Sequence, residues 1–160
     1  MVSCWKSLGA SAGAASLLCG VLLFTPLITT VAFPADLNAA ADSVLGDVIS
    51  QTQSLMVSMS QGCSGGSSGV PPVNWGGLQS HGNSAVNALN AARLALANQD
   101  KPGAIQQINS AEGELDALIN GAHYACSGGA HGEDPVGFAG YVAIKAAVKG
   151  QLDVVKRFLS

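Results

Sequence analysis

Apolar residues recur three and four positions apart along most of residues 36–160, and glycine-rich stretches interrupt the pattern twice. From Asp36 to Gln61 the recurring positions are Leu37, Ala41, Val44, Leu45, Val48, Ile49, Leu55, Met56 and Met59. That spacing lays one apolar stripe along a helix. Asp36, just after Pro34, is placed to cap its start. Gly62 to Gly77 has no periodicity and holds Pro71 and Pro72, so it reads as a loop. A second stripe runs through Leu78, Ala85, Val86, Leu89, Ala92 and Leu96 and ends near Asn98. Asp100 can cap a third helix with Pro102 in its first turn, where a missing N–H costs nothing. That helix carries Ala104, Ile105, Ile108, Ala111, Leu115, Leu118, Ile119 and Ala122. After a second loop, Ser127 to Glu133, the pair Asp134-Pro135 reads as a cap and first helical residue. The fourth helix, through Val136, Phe138, Tyr141, Val142, Ile144, Val148, Leu152, Val155 and Phe158, runs to the C-terminus.

Period-two stretches long enough for a sheet are missing from this pattern. The expected fold is all-α, an up-down-up-down four-helix bundle. The few residues between helices two and three make them an antiparallel hairpin. Chain order then brings the end of helix one, both ends of the two glycine-rich loops and the start of helix four to one pole.

That pole collects the cysteines. Cys-Ser-Gly-Gly occurs at Cys63 and again at Cys126. The other two cysteines, Cys4 and Cys19, lie in an N-terminal apolar segment whose only charge is Lys6. A basic start, an apolar middle and small residues around Thr30-Val31-Ala32 form the pattern of a secretory signal. Cleavage is expected after Ala32, leaving residues 33–160 as one helical domain. The alternative is an uncleaved anchor, since about 20 apolar residues suffice to span a bilayer. Pro26 and the many small residues argue for the signal. Two cysteines in an exported chain point to one disulfide, Cys63–Cys126, joining the loops at the pole. The expected location is secreted or periplasmic, with no membrane insertion after the signal is removed.

Composition narrows the function. The chain is 48% hydrophobic but only 5% aromatic, so its core must be built from Ala, Leu, Val and Ile. Loss of Lys6 takes the formal net charge from −3 to −4. A mildly acidic domain is a poor partner for nucleic acid, whose phosphates demand a basic face. Gly-x-Ser-x-Gly occurs only within the first glycine-rich loop, at Gly62–Gly66 and Gly65–Gly69, where it follows a helical stripe and not the strand a nucleophile elbow needs; His-Glu-x-x-His and a phosphate-binding glycine loop are not present. A non-catalytic binding or interaction role follows, toward an envelope protein or a small ligand.

Two candidate sites stand out. All three histidines, His81, His123 and His131, fall toward the disulfide pole with Met56, Met59, Trp75, Glu133 and Asp134. Imidazole and thioether suit copper, and imidazole suits zinc or haem iron. The alternative function is therefore a copper, zinc or non-covalent haem protein. Against it, Met56 and Met59 fall on the apolar stripe and serve equally as core filler. On the last helix, Lys145, Lys149 and Lys156 share nearly one face at about 100° per residue. They form either a docking face for an acidic partner or a membrane surface, or a solvated polar face.

Overall fold

The computed structural model describes residues 33–127 and 132–160, with side chains from Leu37 onward. The expected signal over residues 1–32, its cleavage point and His131 lie outside the described residues. Four helices follow one another: α1 (Phe33–Met59), α2 (Trp75–Ala97), α3 (Lys101–Ala122) and α4 (Phe138–Leu159). Among the described residues there is no strand, only isolated bridges in the loops. α1 and α3 each pack on both α2 and α4, which makes the up-down-up-down bundle expected from the pattern. None of the described helices is long and apolar enough to cross a membrane.

The buried stripes explain the helices. Ala41, Leu45, Val48, Leu55 and Met59 line the inner face of α1, and Ala104, Ile108, Ala111, Leu118 and Ala122 that of α3. α2 contributes Leu78, Ala85, Leu89, Ala92 and Leu96, and α4 contributes Tyr141, Val148, Leu152, Val155 and Leu159. The alanines let backbones approach, and α2 and α3 make the most extensive contact. Leu78 lies so close to Gly121 that a Cβ there would sit 2.8 Å from its Cδ2. Thr52 is the one buried polar side chain among the described residues, and its hydroxyl donates to the Val48 carbonyl at 2.9 Å.

Three helix boundaries differ from the expected ones. α1 begins at Phe33, so Asp36 lies inside the helix instead of capping it. Pro34 falls in the first turn, where its fixed φ already suits a helix. α2 begins at Trp75, taking Gly76 and Gly77 out of the loop, after a turn in which the Trp75 N–H donates to the Pro72 carbonyl at 3.0 Å. α4 begins at Phe138, behind a left-handed Gly137, not at Asp134-Pro135. Asp134 is engaged elsewhere: its Oδ1 accepts from the Tyr124 N–H at 2.7 Å, closing the end of α3. The Asp100 cap is as expected, accepting from the Gly103 N–H at 2.9 Å.

The two halves of the chain repeat each other at an offset of 63, the separation of the paired cysteines. Trp75 and Phe138 open α2 and α4, and Met59 and Ala122 close α1 and α3. Cys63 pairs with Val70 through two backbone hydrogen bonds, and Cys126 pairs with Glu133 in the same way. The crossings are reciprocal. The Val73 N–H donates to the Ala125 carbonyl at 2.8 Å, and the Val136 N–H donates to the Gly62 carbonyl at 2.7 Å. Contacts in which each half does to the other what is done to it define a two-fold relation. The disulfide, joining equivalent residues, lies on that pseudo-two-fold axis. Gly69 and Gly132 are likewise equivalent, with φ of 63° and 65°. A Cβ on either would strike the carbonyl of an equivalent residue, Gln61 or Tyr124.

Each of the four seams carries a polar clamp. Arg93 holds Asp42 in a two-pronged pair at 2.6 and 2.8 Å between α2 and α1. His81 meets Glu114 at 2.7 Å between α2 and α3. The α3–α4 seam has Lys149 on Asp116 and Lys156 on Glu112, both at 2.8 Å. Between α1 and α4 the Gln51 amide donates to Gln151 at 3.2 Å.

Acid should weaken two of these clamps. Asp42 is held below its ordinary 3.8, chiefly by the Arg93 hydrogen bond, with burial opposing and the Arg93 charge adding. Asp116 is lowered chiefly by the Lys149 hydrogen bond, against burial, with Lys145 adding. A carboxyl depressed by folding contributes stability above its unfolded value, lost as the pH falls through the folded one. The loss should therefore appear below about pH 4. Asp42 and Asp116 are 41% and 39% exposed, so solvent screening keeps each contribution under about 1 kcal/mol. Urea midpoints at about pH 6 and about pH 3 should differ, and Arg93→Gln should narrow the gap. An unchanged gap would remove the Asp42 pair from the acid response.

Candidate functional site

The disulfide pole is built from two loops locked by the same contacts. Cys63 and Cys126 are bonded, with Cα atoms 5.4 Å apart. Pro72 and Pro135, equivalent residues, are buried beneath them. Val73 and Val136, also equivalent, stand 74% and 72% exposed at the crest. The Tyr141 hydroxyl ties the start of α4 to this pole, donating toward the Val136 carbonyl at 3.1 Å and the Ser58 carbonyl at 3.3 Å. Burial raises its pKa.

Just below the loops, the pseudo-two-fold produces a pair of grooves. One lies between α1 and α2, about 390 Å³ in volume, and is lined chiefly by Met56, Val57, Ser60, Trp75 and Gln79. The other lies between α3 and α4, also about 390 Å³, and is lined by Ile119, Asn120, His123, Phe138, Val142 and Lys145. Five lining positions correspond at the same offset of 63: Met56 with Ile119, Val57 with Asn120, Ser60 with His123, Trp75 with Phe138, Gln79 with Val142; Gln53 and Asn83 of the first groove and Lys145 of the second have no counterpart in the other lining. Each groove therefore has an apolar wall from the last turn of one helix and an aromatic ring from the first residue of the next. The volumes fall at the small end of the range for small-molecule sites, about 300–1,000 Å³.

The grooves differ in their polar groups. The first is neutral, and Gly82 stands where the second has Lys145. The Met56 side chain lies over Gly82 and would collide with any Cβ there. In the second groove the His123 ring stacks on Phe138, with centroids 5.2 Å apart and planes 22° apart. Its Nδ1 meets Asp134 Oδ1 at 2.8 Å. Asp134 thus orients the imidazole as well as closing α3. Tyr124, φ 56°, also packs on His123, with ring centroids 3.7 Å apart.

The residues named as possible metal ligands are dispersed. Met59 is fully buried in the core, whereas Met56 is partly buried and lines the first groove. His81 sits on the α2–α3 seam against Glu114, and His123 sits in the second groove against Asp134. Glu133 spends its backbone on Cys126, and Trp75 forms the first groove. Among the described residues no three His, Cys, Asp or Glu side chains converge as a metal-binding group. Lys145, Lys149 and Lys156 do share a side of α4, and it faces the carboxylates of α3. Lys145 and Lys149 both reach Asp116, at 3.2 and 2.8 Å, while Lys156 reaches Glu112 and Asp153.

Ile119, Phe138 and Val142 were read in the sequence only as apolar stripe positions, and Asn120 was not singled out. Aligning the two Cys-Ser-Gly-Gly segments and reading outward in both directions pairs them with the residues of the first groove. Gly69-Val70-Pro71-Pro72-Val73-Asn74-Trp75 matches Gly132-Glu133-Asp134-Pro135-Val136-Gly137-Phe138 in its glycine, its second proline position, its valine and its closing aromatic. No protein-family model, curated protein or solved structure matches the chain.

Proposed function

We propose that the protein is a non-catalytic binding module of an oxidising compartment outside the cytoplasm, secreted or periplasmic, and that its ligands are small molecules taken up beside the disulfide pole. The observation that carries this reading is the pair of equivalent grooves, each with an aromatic wall, beside loops that a disulfide holds in place. An apolar floor with a few polar groups at the rim is the usual make-up of a ligand site. Pre-ordered loops lower the conformational cost of binding, which is where a disulfide helps a small domain. The polar groups of the second groove are already oriented by carboxylates, a state suited to holding a ligand.

Trp75 is the only tryptophan after residue 32, so its emission reports on the first groove directly. Protein exported through an oxidising compartment, purified without affinity tag or chelator, should run on native mass spectrometry as a metal-free, oxidised chain lacking residues 1–32. Titration with the neutral apolar dye N-phenyl-1-naphthylamine should change Trp75 emission saturably. A stoichiometric metal or haem adduct, or a flat titration, would overturn the reading.

A further inference from the structure

We propose that the α3–α4 groove selects a small amphiphilic carboxylate, whose apolar part lies against Phe138, Ile119 and Val142 and whose anionic head is held by Lys145. This rests on the binding-module reading above and adds the chemistry of one of its two grooves.

The argument is one of charge placement. Three cations and three carboxylates line the α3–α4 seam, but they are not distributed evenly. At the end away from the pole, Lys156 is shared by Glu112 at 2.8 Å and Asp153 at 2.9 Å. At the groove end, Asp116 is shared by Lys149 at 2.8 Å and Lys145 at 3.2 Å. One carboxylate facing two ammonium groups leaves the second of them loosely held beside the groove, while the other carboxylate at this end, Asp134, lies against His123. Lys149 makes the hydrogen bond to Asp116. Lys145 makes the longer contact, and Lys145 is the one that lines the groove. Its ammonium can turn to a bound anion while Asp116 keeps Lys149.

The rest of the groove fits the other half of such a ligand. Ile119, Phe138 and Val142 supply apolar wall, and the stacked His123 ring extends the Phe138 surface. Asp134 occupies His123 Nδ1, so the remaining ring nitrogen is the one a ligand could meet, beside the Asn120 amide. A volume of about 390 Å³ suits a medium alkyl chain or a single ring. The pseudo-equivalent groove is a built-in comparison. It has the same volume and an aromatic wall, but Gly82 stands at the position of Lys145, Ser60 at that of His123, and the neutral Gln53 and Asn83 join its lining. Apolar ligands should therefore enter both grooves, and anionic ones should prefer the second.

The test is a chemical-shift titration of the full oxidised chain with octanoate, 3-phenylpropionate and 1-octanol. A carboxylate should shift Ile119, Val142 and Lys145 saturably and bind about tenfold more tightly than octanol, the advantage of one charge-assisted hydrogen bond. The tighter of the two acids assigns the ligand as alkyl or aryl. Lys145→Gln should erase that advantage, bringing octanoate to the affinity of octanol. Asn120→Asp, which adds a negative charge without touching the ion pairs, should weaken both acids. Octanol binding as well as octanoate, or an advantage that survives Lys145→Gln, would overturn the carboxylate assignment while leaving the binding module standing. No shift in either groove with any of the three would overturn both.

Discussion

Cys63→Ser is expected to destabilise the fold by about 4 kcal/mol and to leave Cys126 reactive toward thiol reagents. The figure follows from the 63-residue separation of the paired cysteines, since releasing so long a loop returns considerable entropy to the unfolded chain. Against a typical total of about 5–15 kcal/mol, that is a large share. The folded state loses support too. The two reciprocal backbone bonds, Val73 to Ala125 and Val136 to Gly62, join the loops that the disulfide holds together. Both grooves sit directly beneath those loops, so ligand binding should weaken along with stability. A thermal melt should fall by about 10–20 °C for a domain of this size. Cys126→Ser and the double variant should melt with Cys63→Ser, because all three remove the same constraint. Wild-type protein from an oxidising compartment with two reactive thiols, or single variants that melt with wild type, would sink the account.

The helices were legible because burial in this bundle follows spacing closely. Of the α2 stripe Leu78, Ala85, Val86, Leu89, Ala92 and Leu96, all but the half-buried Val86 are buried, whereas Val142, Ile144 and Phe158 of the α4 stripe stand exposed. The disulfide was legible by parity and topology together. What spacing could not supply was the use of groups with two partners available. Asp134-Pro135 has the form of a helix start, but the left-handed Tyr124 leaves an N–H at the end of α3 that Asp134 satisfies instead. That competitor lies ten residues back and across a turn, beyond any local rule. Asn74 behaves similarly: at the start of α2, it donates its side-chain amide to the Gly121 carbonyl of α3 at 2.8 Å. The lysines of α4 were placed on one side correctly, but only the packed helices show Asp116 and Glu112 opposite them. The repeat was visible around the cysteines, in Cys-Ser-Gly-Gly and in the Gly, Pro and Val that follow, and faint in the helices, which keep burial more than identity. Thr52 and Leu115 occupy equivalent core positions with different chemistry. The grooves, which depend on that repeat in the helices, were faint with it.

Equivalent positions need not be worth the same, and Leu89 and Leu152 provide the comparison. Both are leucines, both are fully buried, and they are equivalent at the offset of 63. Truncation to alanine removes the same atoms from each, so the transfer loss is equal. The remaining cost is set by how far the surroundings can close over the cavity. Leu89 belongs to α2, which shares with α3 the most extensive contact in the bundle and is tied to it by a connection of three residues, Asn98–Asp100. The equivalent seam, between α4 and α1, has less contact and no direct link. An open surface groove of about 270 Å³ runs along it, lined by Ser50, Ser54, Leu55, Ser58 and Ile144 among others. α4 therefore has room to shift inward where α2 does not. Leu89→Ala is expected to cost about 4 kcal/mol and Leu152→Ala about 3 kcal/mol, within the range for buried leucines. Urea unfolding of the two variants, with matching m-values as the check on two-state behaviour, measures the difference. If Leu152→Ala proves the more costly, the α4 side is the less yielding one and the asymmetry between the seams has been read the wrong way round.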